Sequence, residues 1–325
     1  MEKTHILNKE EIIHILNKEE ITHIPNKGKT YQLFDEDKFN GLVNHFKIDA
    51  VKSASVKVDG QNVAIMLNGN GEYIFMPRLE IKDLSHNKLI VFDKSKGEYQ
   101  TIDDRLCWVV NITLSNGKNV DNDTLYKWYC FHLDEGGMPF KNHIVGYIPL
   151  PQTSTYKYIQ DVVYRDSDRN ITHINCALLE PTLTSNGKVS MTGHKMTINE
   201  FMGDKKFITC ELMAGDSICK QKYALPNETL PFVITHGAIP VPDNMCPTEL
   251  SYDGFDIWFK SGCEKGDKYN CFADQEGIVF RQNEKFFKVR HGSRVQKGKN
   301  VGDEKFWNSK KGCGIVFDVS NILKS

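Results

Sequence analysis

The residues best suited to chemistry are Lys57 and Asp59, which stand two apart just before Gly60. A lysine amine is a nucleophile only after it has lost its proton, and in water lysine is almost entirely protonated at neutral pH. Burial and neighbouring cations favour the neutral amine. A reactive lysine here therefore requires that other parts of the chain bring positive side chains next to it.

Two isolated carboxylates are further candidates. Glu211 stands alone in the apolar run 207–213, and an acid in such a strand needs a partner or a function. Glu276 is followed at alternate positions by Ile278 and Phe280. If all three lie on one strand, they share a face, and the carboxylate stands at the edge of an apolar pocket.

A pair of cations follows near the end of the chain. Lys288 and Arg290 alternate with Phe287 and Val289. The period of two in a strand places both cations on one face and both apolar residues on the other. Such a pair is suited to clamping an anion.

The elements that must position these residues are mostly short strands. Arg78 follows one of them, and a hairpin folding back would bring it to the end of the sheet that carries Lys57. We expect an α+β fold with antiparallel sheets flanked by helices. The patterns predict helices over 35–46 and 252–260, strands over 53–58, 61–67, 72–76, 207–213 and 231–235, and a hairpin turn over 67–71.

Composition limits the classes of protein. The 325 residues include 41 basic and 42 acidic residues, so a nucleic acid would have to meet a local basic patch rather than the net charge of −1. No long apolar run predicts a membrane span, and no signal peptide is visible. The nine cysteines form no Cys-x-x-Cys pair. We therefore expect reduced thiols and an intracellular, cytoplasmic protein without structural zinc.

The chain reads as one domain with an appendage. Residues 1–30 contain a nine-residue repeat, and its histidines, spaced by nine, match no common metal-ligand spacing. Residues 31–325 are expected to form a single domain with a large internal segment, about 82–199, and a basic C-terminal tail, 291–325. No linker rich in glycine, serine or proline divides them.

Four motifs occur in a fixed order: Lys57-x-Asp59-Gly60, then Glu211, then Glu276-Gly277-Ile278-Val279-Phe280, then Lys288-x-Arg290. This set resembles the ordered motifs of the covalent nucleotidyltransferase superfamily, which includes ATP-dependent DNA and RNA ligases and mRNA capping enzymes. Further stretches resemble the ATP-dependent 5′-to-3′ RNA ligases of animals and viruses, from about residue 38 to residue 292. These are Gly137-Met138-Pro139, Gly146-Tyr147-Ile148-Pro149, His236-Gly237-Ala238 and Trp258-Phe259.

The resemblance implies a nucleotidyltransferase fold and a three-step reaction. Lys57 would attack the α-phosphate of ATP to form lysyl-AMP, the AMP would pass to an RNA 5′-phosphate, and a 3′-hydroxyl would displace it. Lys288 and Arg290 would neutralise the α-phosphate. Glu276 would orient the amine and, with Asp59, hold Mg²⁺ or Mn²⁺.

The resemblance also implies nucleotide contacts. Glu211 would accept a hydrogen bond from a ribose hydroxyl, and Arg78 would contact ribose or phosphate. Phe232 is a candidate for stacking on adenine, and backbone atoms of Val56 for reading the base edge. His236 is interpreted as an ordinary turn residue.

Three departures from the pattern of the superfamily bear on the expected substrate. Arg290 replaces a lysine common in ligases, and too few residues follow it for the oligonucleotide-binding barrel that DNA ligases and capping enzymes append. Asn62 stands where DNA ligases commonly carry arginine. We therefore expect that the substrate is RNA with 5′-phosphate and 3′-hydroxyl ends, and that basic residues of the tail contact it in part: Arg294, Lys297, Lys299, Lys310 and Lys311. Separately, we expect a monomer.

Several alternatives remain open. The chain could be a capping-type guanylyltransferase, a DNA ligase or an enzyme that transfers AMP to protein. It could also be a nucleotidyltransferase fold kept as an RNA-binding module without catalysis. The presence of all four motifs argues against the last, because a binding module would tolerate their loss.

Overall fold

The computed structural model describes the following residues: 29–32, 36–45, 47–68, 70–81, 106–109, 126–130, 144–147, 160–180, 188–213, 223–262, 269–282, 285–290, 295–296, 299–300 and 314–324. The nine-residue repeat and the tail residues Arg294, Lys297, Lys310 and Lys311 lie outside this part of the chain.

Strands dominate these ranges, in mixed and mainly antiparallel sheets, and helices are few. The expected α+β class is thus confirmed. The strands are β1 Lys29–Gln32, β2 Ser55–Lys57, β3 Gln61–Leu67, β4 Tyr73–Ile81, β5 Leu106–Val109, β6 Tyr126–Cys130, β7 Ile144–Tyr147, β8 Val163–Arg165, β9 Ile171–Leu179, β10 Val189–Thr197, β11 Phe207–Met213, β12 Phe232–Thr235, β13 Gly277–Gln282, β14 Lys285–Arg290, β15 Val295–Gln296, β16 Lys299–Asn300 and β17 Ile315–Asp318. The α-helices are α1 Glu36–His45, α2 Ile198–Met202 and α3 Tyr252–Ser261, and short 3₁₀ helices span Asp243–Met245 and Ser320–Ile322.

The chain divides into two compact units. The first comprises Met1–Ile24, Asn62–Thr172 and Ile198–Thr209. The second comprises Pro25–Gln61, His173–Thr197 and Cys210–Ser325.

In the first unit the strand order is β3-β4-β7-β6-β5. The strand expected to end before Pro77 continues to Ile81, and the reason is a change of partner. β4 pairs with β3 as far as Pro77 and with β7 from Arg78 onward. Proline donates no ladder hydrogen bond, and a position where the partner changes tolerates that absence.

The core of the first unit lies under β3 and β4. Val63, Ala64 and Ile65 have no exposed surface. Tyr147 is also buried, and its hydroxyl donates a hydrogen bond of 2.5 Å to Oδ1 of Asn62. The departure at Asn62 is therefore accommodated by a local side-chain partner.

The second unit contains a four-stranded sheet in the order β1-β14-β13-β2. β1 runs parallel to β14, and the other neighbours are antiparallel. A series of aromatic contacts links helices to this sheet: Phe39 of α1 meets Phe255 of α3 at 5.7 Å between ring centroids, Phe255 meets Phe280 at 6.2 Å, and Phe280 meets Phe287 at 5.6 Å. These buried rings fix β13 and β14 against α1 and α3.

A second set of strands in this unit has the order β17-β10-β9-β12-β11. The C-terminal strand β17 runs parallel to β10, and Ile315 is buried. Phe317 of β17 contacts Tyr223 and Phe232, each at 5.5 Å between ring centroids. The last described residues, 314–324, are thus part of the folded core of this unit.

No helix within the described ranges is long and apolar enough to cross a membrane.

Candidate active site

The β2–β13–β14 register places Lys57 in one row with Gly277 and Arg290. Lys57 pairs with Gly277 across β2 and β13, and Gly277 pairs with Arg290 across β13 and β14. Residues directly opposite one another in neighbouring strands project to the same face. Lys57 and Arg290 therefore share a face, separated by a residue without a side chain.

Lys288 lies on that same face, two residues along the sheet. It pairs with Val279, which also pairs with Ser55 of β2. The row between these two rows projects to the other face and is buried; it consists of Val56, Ile278 and Val289. Lys288 and Arg290 share a face, as expected. The register shows that Lys57 lies on that face as well.

Gly277 is required by the tight spacing of this row. A Cβ added there would lie 2.2 Å from the carbonyl oxygen of Val289 and 2.8 Å from Cα of Arg290. Both atoms belong to the backbone of the neighbouring strand. A side chain at residue 277 would force apart the strands that carry the cations.

Glu276 forms an ion pair with Lys57, through its Oε2 and the lysine Nζ. The carboxylate is buried, whereas the Lys57 side chain keeps 20% of its surface exposed. β13 begins at Gly277, so Glu276 stands directly before the strand that it was expected to share with Ile278 and Phe280. The contact with Lys57 is the arrangement expected of an acid that orients the amine, and that role stays a prediction.

A buried polar network precedes Glu276 in the chain. Tyr269 donates its hydroxyl to Oδ2 of Asp274 at 2.7 Å, and Nε2 of Gln275 donates to Oδ1 of Asp274 at 2.5 Å. Asp274 and Gln275 are both buried. These bonds hold the turn that delivers Glu276 to the amine.

Gly60 brings the lysine motif against the strand of Glu211. A Cβ at Gly60 would lie 2.7 Å from the carbonyl oxygen of Leu212 and 3.4 Å from Cβ of Glu211. The preceding residue is held as well, because the N–H of Asp59 donates to the hydroxyl of buried Tyr223 at 3.0 Å. Lys57, Gly60 and Glu211 thus meet in one region of the second unit.

The carboxylate of Glu211 is only partly satisfied. Its Oε1 accepts a hydrogen bond of 3.2 Å from Nε2 of His236. Its Oε2 is buried and has no hydrogen-bond partner. Leaving a buried acceptor unsatisfied costs about 1–3 kcal/mol. The site is therefore short of a hydrogen-bond donor.

The segment after His236 returns to the lysine strand. The N–H of Val56 donates to the carbonyl of Ile239, and the N–H of Val241 donates to the carbonyl of Ala54, both at 2.9 Å. The backbone N–H of Val56 is thus already used, and its predicted contact with the base edge stays a prediction.

Three further predicted site residues are a core residue, a residue of the first unit and a residue whose side chain is not described. Phe232 has no exposed surface and packs on Phe317, a geometry that favours a core role over stacking on adenine. Arg78 lies on β4 in the first unit, paired with Tyr147, and its contact with nucleotide stays a prediction. Lys299 lies on β16, where its side chain is not described.

The donors present suit a cation that arrives with a phosphorylated substrate. Among the described residues, no three His, Cys, Asp or Glu side chains cluster as a metal site. Magnesium in nucleotide sites is commonly bound by one or two carboxylates together with phosphate oxygens. Asp59 and Glu276 have that chemistry.

Sequence reasoning missed His236 and Tyr223, which contact Glu211 and Asp59 respectively. A histidine followed directly by glycine was the available signal for the first, since it marks a turn that holds a side chain in place. No pattern in the sequence links Tyr223 to Asp59.

The comparisons with known proteins give no family for this chain. No protein-family model matches it, and no curated protein matches it. A functional conclusion therefore depends on the ordered motifs and on the geometry described above.

Proposed function

We propose that this protein is an ATP-dependent 5′-to-3′ RNA ligase that acts through a lysyl-AMP intermediate on Lys57. The observation that carries the proposal is the combination of two features in the second unit. Lys57 is paired with the buried Glu276, and it shares a sheet face with Lys288 and Arg290. A partly exposed amine that is paired with a carboxylate and shares a sheet face with two cations suits attack on a phosphate.

In the first step the Lys57 amine attacks the α-phosphorus of ATP. A P–N bond forms, and the P–O bond to the leaving pyrophosphate breaks. Glu276, in contact with the amine, orients it and is placed to accept its proton. Lys288 and Arg290 stabilise the negative charge that develops on the α-phosphate.

In the second and third steps the adenylate moves to RNA. The terminal 5′-phosphate attacks the lysyl-AMP phosphorus, which releases the lysine and leaves AMP on the RNA end. A 3′-hydroxyl then attacks the RNA phosphate and displaces AMP, so that a phosphodiester bond forms.

Mg²⁺, held by Asp59 and Glu276, would supply charge neutralisation for the triphosphate.

Glu211 suits the sugar rather than the phosphates. Its carboxylate would repel a phosphate, but it lacks a donor for Oε2, and a ribose hydroxyl is such a donor. The cations and this acid are thus suited to different ends of one nucleotide.

The proposal is tested by incubating the protein and its Lys57→Ala variant with [α-³²P]ATP or [α-³²P]GTP, followed by unlabelled RNA with a 5′-phosphate. We expect a covalent label from ATP in the native protein alone, and its transfer to RNA with strand joining. A label from GTP alone would indicate a guanylyltransferase instead. A label without transfer to RNA would favour AMP transfer to protein, and joining of DNA alone would indicate a DNA ligase.

The main alternative outside enzymes is an RNA-binding module with the same fold. The buried carboxylate of Glu276 opposes this alternative, because burying a charge is costly and a binding module gains nothing from pairing that charge with a partly exposed amine. RNA binding without any covalent label would support the module.

A further inference from the structure

We propose that His236 is a positioning residue that holds the Glu211 carboxylate for a ribose hydroxyl, and that it thereby sets the preference of the site for ribonucleotide over deoxynucleotide. The inference rests on the proposed function. It adds a specificity-determining residue that the sequence motifs alone do not assign.

His236 is held by a defined turn at the end of β12. The N–H of Ala238 donates to the carbonyl of Thr235 at 3.1 Å, which closes a four-residue turn with His236 in its second position. Gly237, in the third position, has a φ of +84°. A type II turn requires positive φ there, which glycine adopts without strain. The backbone of His236 is therefore fixed independently of its side chain.

The sheet register brings the turn that holds His236 beside Glu211. Glu211 pairs with Ile234 across β11 and β12. Thr235, the residue before His236, pairs with Cys210, the residue before Glu211, so the turn begins beside the part of β11 that carries the carboxylate. The hydrogen bond from Nε2 of His236 to Oε1 of Glu211 follows from this arrangement.

The base of the Glu211 side chain lies close to the lysine motif. Gly60 approaches so closely that a Cβ there would lie 3.4 Å from Cβ of Glu211. His236 thus holds the carboxylate end of a side chain whose Cβ lies close to Gly60. His236 satisfies one oxygen, and the second remains without a donor.

A ribose hydroxyl is the donor that best completes this acid. A carboxylate accepts several hydrogen bonds, and rotation about its last torsion turns either oxygen toward a ligand at low cost. The hydrogen bond from His236 keeps the Glu211 carboxylate oriented. The ribose hydroxyl therefore binds to an acceptor that does not have to be reoriented first. A deoxynucleotide would leave the acid unsatisfied.

The test compares His236→Leu, which has no donor, with His236→Gln, whose amide N–H can replace the imidazole donor. The rate of covalent labelling is measured against concentration for ATP, 2′-deoxy-ATP and 3′-deoxy-ATP. His194→Leu, a histidine on β10 that makes no described contact with Glu211, is the matched control. Thermal unfolding of every variant separates loss of fold from loss of selectivity.

We expect the efficiency of covalent labelling by the native protein to be at least roughly tenfold higher for ATP than for one of the deoxy analogues. The loss of one hydrogen bond to a charged group lowers binding by about that factor. His236→Leu should lose most of that ratio through a higher KM for ATP, and His236→Gln should retain it in part. A folded His236→Leu variant that labels with the native ratio would overturn the inference and leave the ligase proposal intact. Absence of any label from the native protein would overturn both.

Discussion

The amine of Lys57 and the carboxylate of Glu276 form an ion pair although 219 positions separate them in the chain. The pair forms because β2 and β13 are antiparallel neighbours whose register sets Lys57 opposite Gly277, the residue after Glu276. The carboxylate is buried and the amine is partly exposed. The pair therefore presents one reactive group to a ligand and keeps the other within the protein.

Replacing the acid of this pair should affect reaction more than folding. Glu276→Gln keeps the side-chain size and removes the negative charge that orients the amine and accepts its proton. We expect the rate of covalent labelling by ATP to fall by about 10²-fold or more. Because the Lys57 ammonium still reaches solvent, the free energy of unfolding should change by no more than about 2 kcal/mol.

The same change at an exposed acid is the control for that variant. Glu228→Gln removes a carboxylate from the exposed surface and should leave the labelling rate at its native value. Equal labelling by the Glu276→Gln variant and the native protein, measured in the first turnover, would contradict the assigned role.

The tight row at Gly277 predicts a large effect of a single methyl group. In Gly277→Ala the added Cβ would lie 2.2 Å from the carbonyl of Val289, so β13 and β14 would have to separate. We expect a loss of about 1–3 kcal/mol in the free energy of unfolding, measured with urea. The displaced strands should also abolish labelling.

Gly41 provides the matched glycine. It lies in α1, and a Cβ there would meet no atom within 4 Å. Gly41→Ala should stabilise the protein by roughly 0.5–1 kcal/mol, because alanine loses less conformational freedom in a helix. If both variants changed stability alike, the close approach at Gly277 would not be the cause.

Tyr223 holds the turn after Lys57, and we expect its replacement to have a smaller effect than the replacement of Gly277. Tyr223→Phe removes the hydroxyl that accepts the N–H of Asp59, while the ring can still pack on Phe317. We expect about 1 kcal/mol of lost stability and a several-fold slower labelling reaction. Tyr73→Phe, which removes a hydroxyl bonded to exposed Asn199, is the control and should retain native labelling.

Alkaline pH should destabilise the protein through its buried thiols. Burial raises the pKa of Cys176 from 9.0 to about 12. Below pH 9 the thiol is neutral in both states and has no effect. Between pH 9 and 12 the unfolded chain ionises and the folded chain does not, so stability falls by up to about 1.4 kcal/mol per pH unit.

Urea unfolding of the native protein and of Cys176→Ala, measured from pH 8 to pH 11, checks this prediction. The variant should start less stable, because it leaves a small cavity, and its stability should decline less steeply above pH 9. Parallel pH profiles for the two proteins would rule out the thiol as the source.

Local patterns in the sequence predicted much of the fold. The strand Gln61–Leu67, the helix from Tyr252 and the shared face of Lys288 and Arg290 all depend on periodicity within a few residues. The α+β class followed from these elements. Features that depend on partners distant in the chain could not be predicted from local patterns. For example, β4 continues beyond Pro77 because it pairs with β7 from Arg78 onward.

The candidate site was likewise predictable in its residues but not in its long-range contacts. The ordered motifs indicated Lys57, Glu211 and Glu276, but only the three-dimensional register shows that Glu276 lies outside its expected strand. For Phe232 the sequence left both a core role and stacking on adenine open, because its partner Phe317 lies 85 positions away in a segment expected to bind RNA. His236 acquired a contact only through the pairing of β11 with β12.

The central claim is that Lys57 captures adenylate, and mapping the covalent adduct tests it most directly. The native protein is incubated with ATP and Mg²⁺, digested, and analysed by mass spectrometry with fragmentation of the modified peptide. We predict one added AMP on Lys57, released by mild acid as a phosphoramide bond requires, and none in Lys57→Ala. An adduct on another residue, or an unmodified protein after incubation with ATP, would contradict the account.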